Sequence, residues 1–385
     1  MKDARLPGLD LLRAIAIIWV LLYHLDSYGL GLPGWTQYGW MGVDLFFVLS
    51  GYLIGWQLLK PYTFGEQPRW RRFFVRRAFR VLPAYLAVLA LYFFLPAVRE
   101  SAGIQPLWQF LTFTLNLFPD YFHNRALSHA WSLCIEEHFY LLLPPVVWLL
   151  ARRPAIARTA ATALAVLIGG MLLRAWLWQH RVAPYMHVQS GEGSFLIRYI
   201  ERIYNPTYTR LDGLLVGVIV AAVKGFRPRW WAWAMARGPA FLVLGLAGVL
   251  AATTLKAPGF ASAVFGFPLL SAGLAAILVA LVSPLRWTGR LRVPGARPVA
   301  AMAFSLYLTH KAVFHLVREH LGDQIDKSNL FAFCVYLGAA LAVGALLYLC
   351  VERPGMRLRE RVLVAGGAGH MPPVTEPATR VSAGS

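Results

Sequence analysis

The chain has 385 residues, of which 58% are hydrophobic and only 14% are charged. A soluble domain of this length needs more charge to cover its surface, so the composition excludes an ordinary soluble protein. Lys and Arg outnumber Asp and Glu by 37 to 18. The basic residues lie in short loops between apolar segments, as the positive-inside rule expects, and this argues against nucleic-acid binding.

Ten apolar segments are predicted to cross the membrane as helices, because blocks of roughly 20 apolar residues match a ~30 Å hydrocarbon core. In chain order they lie near 11–29, 40–59, 82–98, 130–150, 157–178, 211–224, 239–256, 262–283, 299–318 and 330–351. An eleventh segment, 107–118, is short for a span. Treating it as non-spanning puts the most basic loops and both termini in the cytoplasm. We therefore predict an all-α integral membrane protein, a bundle of about ten transmembrane helices.

The chain is predicted to contain one folded domain. Residues 1–358 form this membrane domain, and 359–385 form a disordered cytoplasmic tail, because the end of the chain is rich in Gly, Pro and Ser. The three cysteines, Cys134, Cys334 and Cys350, are odd in number and unclustered. They indicate neither a disulfide framework nor a zinc site, and we predict no metal.

The first span carries an arginine and a histidine on one face. Arg13 and His24 are eleven residues apart, and eleven steps of ~100° return to almost the same side of a helix. An ionisable side chain inside a span costs on the order of 2.5–3.5 kcal/mol on insertion scales, so each one needs a reason. The alternative to a functional site is that Arg13 extends to the inner interface while His24 lies at the outer one.

Other spans carry polar residues at a similar predicted depth. Glu136 and Glu137 lie in one span, Asp212 opens another close behind Arg210, and His310 lies in a third. The predicted topology puts these residues toward the same leaflet as His24, which indicates a buried reaction chamber. The alternatives are structural: the carboxylates pair with an arginine, Asp212 and Arg210 cap a helix, and the histidine is a satisfied core residue.

A cluster of arginines precedes the third span. Arg76, Arg77 and Arg80 lie within a turn or two of helix at its predicted cytoplasmic mouth. Such a cluster suits a phosphate or pyrophosphate group, which guanidinium binds with bidentate geometry. Anionic lipid headgroups are the alternative ligand.

With these residues in view, the chain from Leu9 to Arg357 resembles the acyltransferase-3 superfamily of membrane acyltransferases. Seven blocks carry the resemblance, in the right order: Arg13 with His24 (Arg-x10-His), Gly42–Gly55, the RRxxR element at Arg76, Arg77 and Arg80, Trp131–Pro144 (WSLxxEExFYLxxP), Arg210 with Asp212 (RxDxLxxG), Ser305 to His310 (SxYLxH), and Glu352 with Pro354 (ExP).

The resemblance implies that residues 1–358 are an acyltransferase domain of the O-acetyltransferase type, in the cytoplasmic (inner) membrane, without the C-terminal hydrolase-like domain of some members. It implies transfer of an acyl group from acyl-CoA, most often acetyl-CoA, to a hydroxyl. The expected acceptor is a cell-surface or exported carbohydrate such as lipopolysaccharide or an exopolysaccharide. A small secondary metabolite such as a macrolide is the alternative acceptor. A transporter of acylated substrates and a non-catalytic scaffold are the alternative functions.

We therefore hypothesise that His24 is the general base, held by Glu136 or Glu137 as in a catalytic dyad. Arg13 is a further catalytic candidate and is expected to contact the pantetheine or phosphate portion of acyl-CoA. Arg76, Arg77 and Arg80 are expected to bind the nucleotide phosphates. The residues expected to contact substrate are Asp212, Arg210, His310, Tyr307 and Ser132.

Overall fold

The computed structural model of the chain describes residues 6–284, 286–325 and 329–365. Within these ranges the chain is built from helices, and the described residues contain no strand. The helices of the first half are α1 (Pro7–Asp26), α2 (Met41–Thr63), α3 (Trp70–Phe94), α4 (Leu107–Leu111), α5 (Trp131–Arg152), α6 (Ile156–Leu177) and α7 (Phe195–Tyr199). Those of the second half are α8 (Asp212–Phe226), α9 (Pro228–Ala236), α10 (Gly238–Thr254), α11 (Phe267–Leu281), α12 (Trp287–Arg290), α13 (Ala296–Ile325), α14 (Asn329–Leu347) and α15 (Arg353–Ala365).

Seven helical segments among the described residues are long and apolar enough to cross a membrane, and an eighth is obtained if the bent pair α9 and α10 counts as one span. The predicted all-helical architecture with several spans is confirmed, while the count of ten and the orientation of the termini stay predictions. Two helices explain the lower count. The 15 residues of α8 extend about 22 Å, less than a ~30 Å core. The longer α13 carries charged residues such as Lys311 and Glu319.

Two stretches outside the predicted spans contain helix in the structure. The segment 107–118 contains the five-residue helix α4, about 8 Å long at 1.5 Å per residue, followed by turns, and it is too short to cross. At the other end, α15 continues to Ala365, so the tail predicted from 359 begins as helix. Its remainder, 366–385, lies outside the described residues.

Close helix packing positions the polar residues. The helices α2 and α8 pack closely because a glycine of each helix faces the backbone of the other. A Cβ on Gly51 would lie 2.0 Å from the carbonyl oxygen of Leu214, and a Cβ on Gly217 would lie 2.3 Å from that of Val48. In a membrane, small residues at such crossings let helices gain dispersion contacts. The helix α13 packs against both α1 and α14, which brings polar residues of α1 and α13 together.

Candidate active site

A cavity of about 650 Å³ lies beside the α2–α3 connection and extends into the helix bundle. Five cationic side chains line it: Arg13, Lys60, Arg76, Arg77 and Arg80. The carboxylates Glu66 and Glu136 also line it, so positive charge predominates. The structure therefore brings the four arginines predicted to bind acyl-CoA to one cavity.

The arginines of this cavity differ in how their charge is balanced. Arg80 forms an ion pair with the buried carboxylate of Glu352, which also accepts a hydrogen bond from the Ser305 hydroxyl at 2.6 Å. Arg76 and Arg77 form no ion pair with any carboxylate in the part of the chain that the structure describes. These two guanidinium groups can accommodate an anion in the cavity.

Glu136 faces the cavity from the first half of α5. Its carboxylate accepts hydrogen bonds from the Ser50 hydroxyl at 2.7 Å and from the Tyr140 hydroxyl at 2.8 Å. Arg77 lies over the Tyr140 ring, with its Cζ 5.5 Å from the centre of that ring. The carboxylate thus joins α2 to α5 within the cavity wall, and its pairing with His24 stays a prediction.

Ser132 and Tyr307 also line the cavity. The Tyr307 hydroxyl donates to the carbonyl oxygen of His129 at 2.7 Å. Its oxygen is also 2.7 Å from the Ser132 hydroxyl, which therefore donates to it, because the tyrosine proton is already used. Both hydroxyls are buried, and together they form a polar wall between α5 and α13.

Three imidazole rings lie behind this wall. The Tyr307 ring is 5.8 Å from the His310 ring, measured between centroids. The His310 ring is in turn 5.0 Å from the ring of His24 and 5.0 Å from that of His129. His310 and His129 are buried, and His24 is partly exposed. The structure therefore brings His24 and His310 together, as their shared predicted depth indicated.

Arg210 and Asp212 are adjacent in sequence but belong to separate ion pairs. Arg210 pairs with Asp44 at 2.7 Å, and Asp212 accepts hydrogen bonds from two nitrogens of Arg174 at 2.7 and 3.1 Å. All four side chains are buried, and none lines the cavity described above. Their contact with substrate stays a prediction, whereas their geometry joins α2, α6 and α8.

Glu137 also lies apart from the cavity lining, and one of its carboxylate oxygens, Oε1, is buried without a hydrogen-bond partner among the described residues. Its predicted catalytic function is therefore not supported by a contact with a histidine, and it stays a prediction.

Three residues at these contacts were not among the candidates predicted from the sequence: Asp44, His129 and Arg174. Asp44 and Arg174 were detectable from the sequence, because each, like Arg13, is an ionisable residue inside an apolar segment. The signal for His129 was weaker, since it stands at the edge of a span, two residues before Trp131.

Known proteins that are similar to this chain are named as acyltransferases. The profile of a family described as "Acyltransferase domain" matches residues 6–349. A protein of Staphylococcus aureus strain COL named "Putative O-acetyltransferase" is 27% identical over 377 residues, which is 92% of this chain and 58% of that protein. The O-acetyltransferase OatA of S. aureus strain NCTC 8325 is 31% identical over 234 residues, 57% of this chain and 34% of OatA.

The chain thus spans just over half the length of the first of these relatives. No solved structure matches it. Because the family profile covers nearly the whole chain, this protein belongs to the acyltransferase-3 family of membrane acyltransferases.

Proposed function

We propose that this chain is a membrane-embedded O-acyltransferase that moves an acyl group, most often acetyl, from acyl-CoA to a hydroxyl of a cell-surface or exported carbohydrate. The observation that carries the proposal is a single cavity with cations near the α2–α3 connection and a wall of buried hydroxyls in contact with histidines at its inner part. The order of these groups matches the order of groups along acyl-CoA, with phosphates at one end and the thioester at the other.

The donor binds with its phosphates toward the α2–α3 connection, on the cytoplasmic side of the inner membrane. Arg76 and Arg77 hold the phosphates with charge-assisted hydrogen bonds. A volume of about 650 Å³ lies within the range of pockets that enclose small molecules and cofactors. Arg13 contacts the donor further along the cavity, and the thioester reaches the inner part near Ser132 and Tyr307.

His24 is the general base. It takes the proton from the acceptor hydroxyl while the hydroxyl oxygen attacks the thioester carbonyl, so that a C–O bond forms and the C–S bond breaks. The imidazolium then gives this proton to the departing CoA thiolate, which leaves the histidine neutral for the next turnover. The hydroxyls of Ser132 and Tyr307, which line the cavity, orient the thioester.

The acceptor is assigned from chemistry and from the relatives' names. Both relatives are named O-acetyltransferases, which is consistent with an oxygen acceptor. A carbohydrate offers many hydroxyls, and it reaches the partly exposed His24 from the side opposite the donor. A small secondary metabolite would use the same chemistry, so the experiment must separate the two acceptors.

The test measures transfer of label from radiolabelled acetyl-CoA in membranes that contain the full chain. Label should enter the polysaccharide fraction and be lost in a His24→Ala variant, while the control His187→Ala, an exposed histidine, retains it. Near-normal transfer by His24→Ala would overturn the catalytic assignment. Label found only in small extractable metabolites would overturn the carbohydrate acceptor.

A further inference from the structure

The three histidines behind Tyr307 come from separate parts of the chain. His24 lies near the end of α1, His129 in the turn Ser128–Ala130 before α5, and His310 in the middle of α13. The His310 ring is equally distant from the other two, at 5.0 Å between centroids. The rings form no hydrogen bond with each other in the structure, since His310 Nε2 has no partner among the described residues. At this separation, a rotation of the His24 ring that turns one of its nitrogens toward Nε2 brings the two atoms within hydrogen-bond range.

The hydrogen bonds of His310 assign its tautomer. Its Nδ1 atom lies 2.8 Å from the carbonyl oxygen of Tyr307 and 3.2 Å from that of Leu306. A carbonyl oxygen only accepts hydrogen bonds, so Nδ1 carries the proton and Nε2 carries the lone pair. Nε2 is buried without a partner among the described residues, and the whole side chain is 0% exposed.

The same reasoning applies to His129. Its Nε2 atom lies 3.3 Å from the carbonyl oxygen of Leu308, so Nε2 carries the proton and Nδ1 the lone pair. Nδ1 is also buried without a partner in the described part of the chain. Two lone pairs cannot hydrogen-bond each other, and leaving a buried acceptor without a donor costs about 1–3 kcal/mol. These two rings therefore lack a hydrogen-bond donor. The ring N–H of His24, the third histidine of the cluster, can supply one.

We propose that His310 is a positioning residue for His24. After a rotation of the His24 ring, the Nε2 atom of His310 accepts a hydrogen bond from one ring nitrogen of His24. This leaves the lone pair of the other His24 nitrogen directed at the acceptor hydroxyl. His310 thus takes the place that a carboxylate occupies in a catalytic dyad, and it fixes the tautomer of the base without adding a negative charge. This inference rests on the proposed function of His24, and it replaces Glu136 and Glu137 as the partner of that histidine.

The experiment compares two substitutions of similar size in the purified full chain. His310→Gln retains an acceptor near the position of Nε2, whereas His310→Met does not. We expect His310→Met to lower kcat at least about 100-fold and to leave the KM for acetyl-CoA within about twofold, because His310 does not line the donor cavity. His310→Gln should retain kcat to within about tenfold of the unsubstituted protein.

A variant that does not fold is recognised by its melting temperature and by loss of CoA binding. For that case His310→Asn is the second variant: its amide keeps a donor for the Tyr307 carbonyl and lacks an acceptor that reaches His24. It should behave as His310→Met does. The inference would be overturned if folded His310→Gln had the same kcat as folded His310→Met or folded His310→Asn.

A double variant separates positioning from a structural function. If His310 acts through His24, His24→Ala combined with His310→Met should be no slower than His24→Ala alone. Multiplicative losses would overturn the inference. A fully active His24→Ala would instead remove the proposed function itself, and an inactive His24→Ala beside an active His310→Met would reject the positioning function alone.

Discussion

Arg174 and Asp212 meet face to face between α6 and α8, with two guanidinium nitrogens 2.7 and 3.1 Å from the two carboxylate oxygens. Arg174 is 1% exposed and Asp212 5%. Arg174 also donates to the carbonyl oxygen of Thr209 at 2.7 Å. Both carboxylate oxygens and both terminal guanidinium nitrogens of the pair are therefore hydrogen-bonded, whereas the Nε of Arg174 is buried without a partner among the described residues. In this apolar region a lone charge of either sign would be costly.

This geometry predicts that Asp212→Asn reduces the amount of folded protein in the membrane. Removing one partner of a buried ion pair costs about 3–5 kcal/mol, because the remaining charge stays buried. The double variant Arg174→Met with Asp212→Leu removes both charges and should recover folding, as judged by thermal unfolding in detergent.

The same double variant decides whether Asp212 also contacts substrate. If the ion pair is only structural, the refolded double variant should regain acyl transfer together with stability. A stable double variant without activity would support the substrate contact expected from the sequence.

The donor site predicts a specific kinetic effect for Arg77. A hydrogen bond to a charged group contributes about 1.5–3 kcal/mol, so Arg77→Gln should raise the KM for acetyl-CoA about tenfold or more. The matched control is Arg71→Gln, an exposed residue of the same helix that does not line the cavity. Equal small effects of both substitutions on KM, measured in initial-rate assays, would instead favour binding of lipid headgroups by this segment.

The two adjacent carboxylates of α5 are expected to differ. Glu136 faces the cavity and accepts hydrogen bonds from Ser50 and Tyr140, whereas Glu137 does not line the cavity. Glu136→Gln removes the negative charge and one acceptor oxygen, so it should lower the rate of acyl transfer about tenfold or more. Glu137→Gln should have the smaller effect. A larger loss of rate in Glu137→Gln than in Glu136→Gln would instead support a catalytic function for Glu137.

The crossing of α2 and α8 predicts an effect on stability alone. The methyl group of Gly51→Ala would lie 2.0 Å from the Leu214 carbonyl oxygen, so the helices must separate, at a cost of about 1–3 kcal/mol or more. The melting temperature should fall. The control is Gly169→Ala in α6, where a Cβ has no neighbouring atom within 4 Å. There alanine should be neutral or slightly stabilising, because it has the higher helix propensity.

The sequence by itself determined the class of protein and most of its elements. Apolar segment length and the position of charges are local properties, so they identified a helical membrane protein and predicted that 107–118 does not cross. The arginines Arg76, Arg77 and Arg80 were also detectable as a local cluster. The blocks that resemble the family are local patterns as well, and the family match confirmed them.

Only the tertiary structure decided which polar residues are neighbours. Sequence proximity suggested pairing Arg210 with Asp212, but Arg210 pairs with Asp44 and Asp212 pairs with Arg174. Predicted depth brought His24 and His310 to one level, yet it did not reveal that His129 completes the cluster. The physical reason is that a helical period fixes the direction of a side chain about its own axis, while contacts depend on how each helix is rotated and packed against the others.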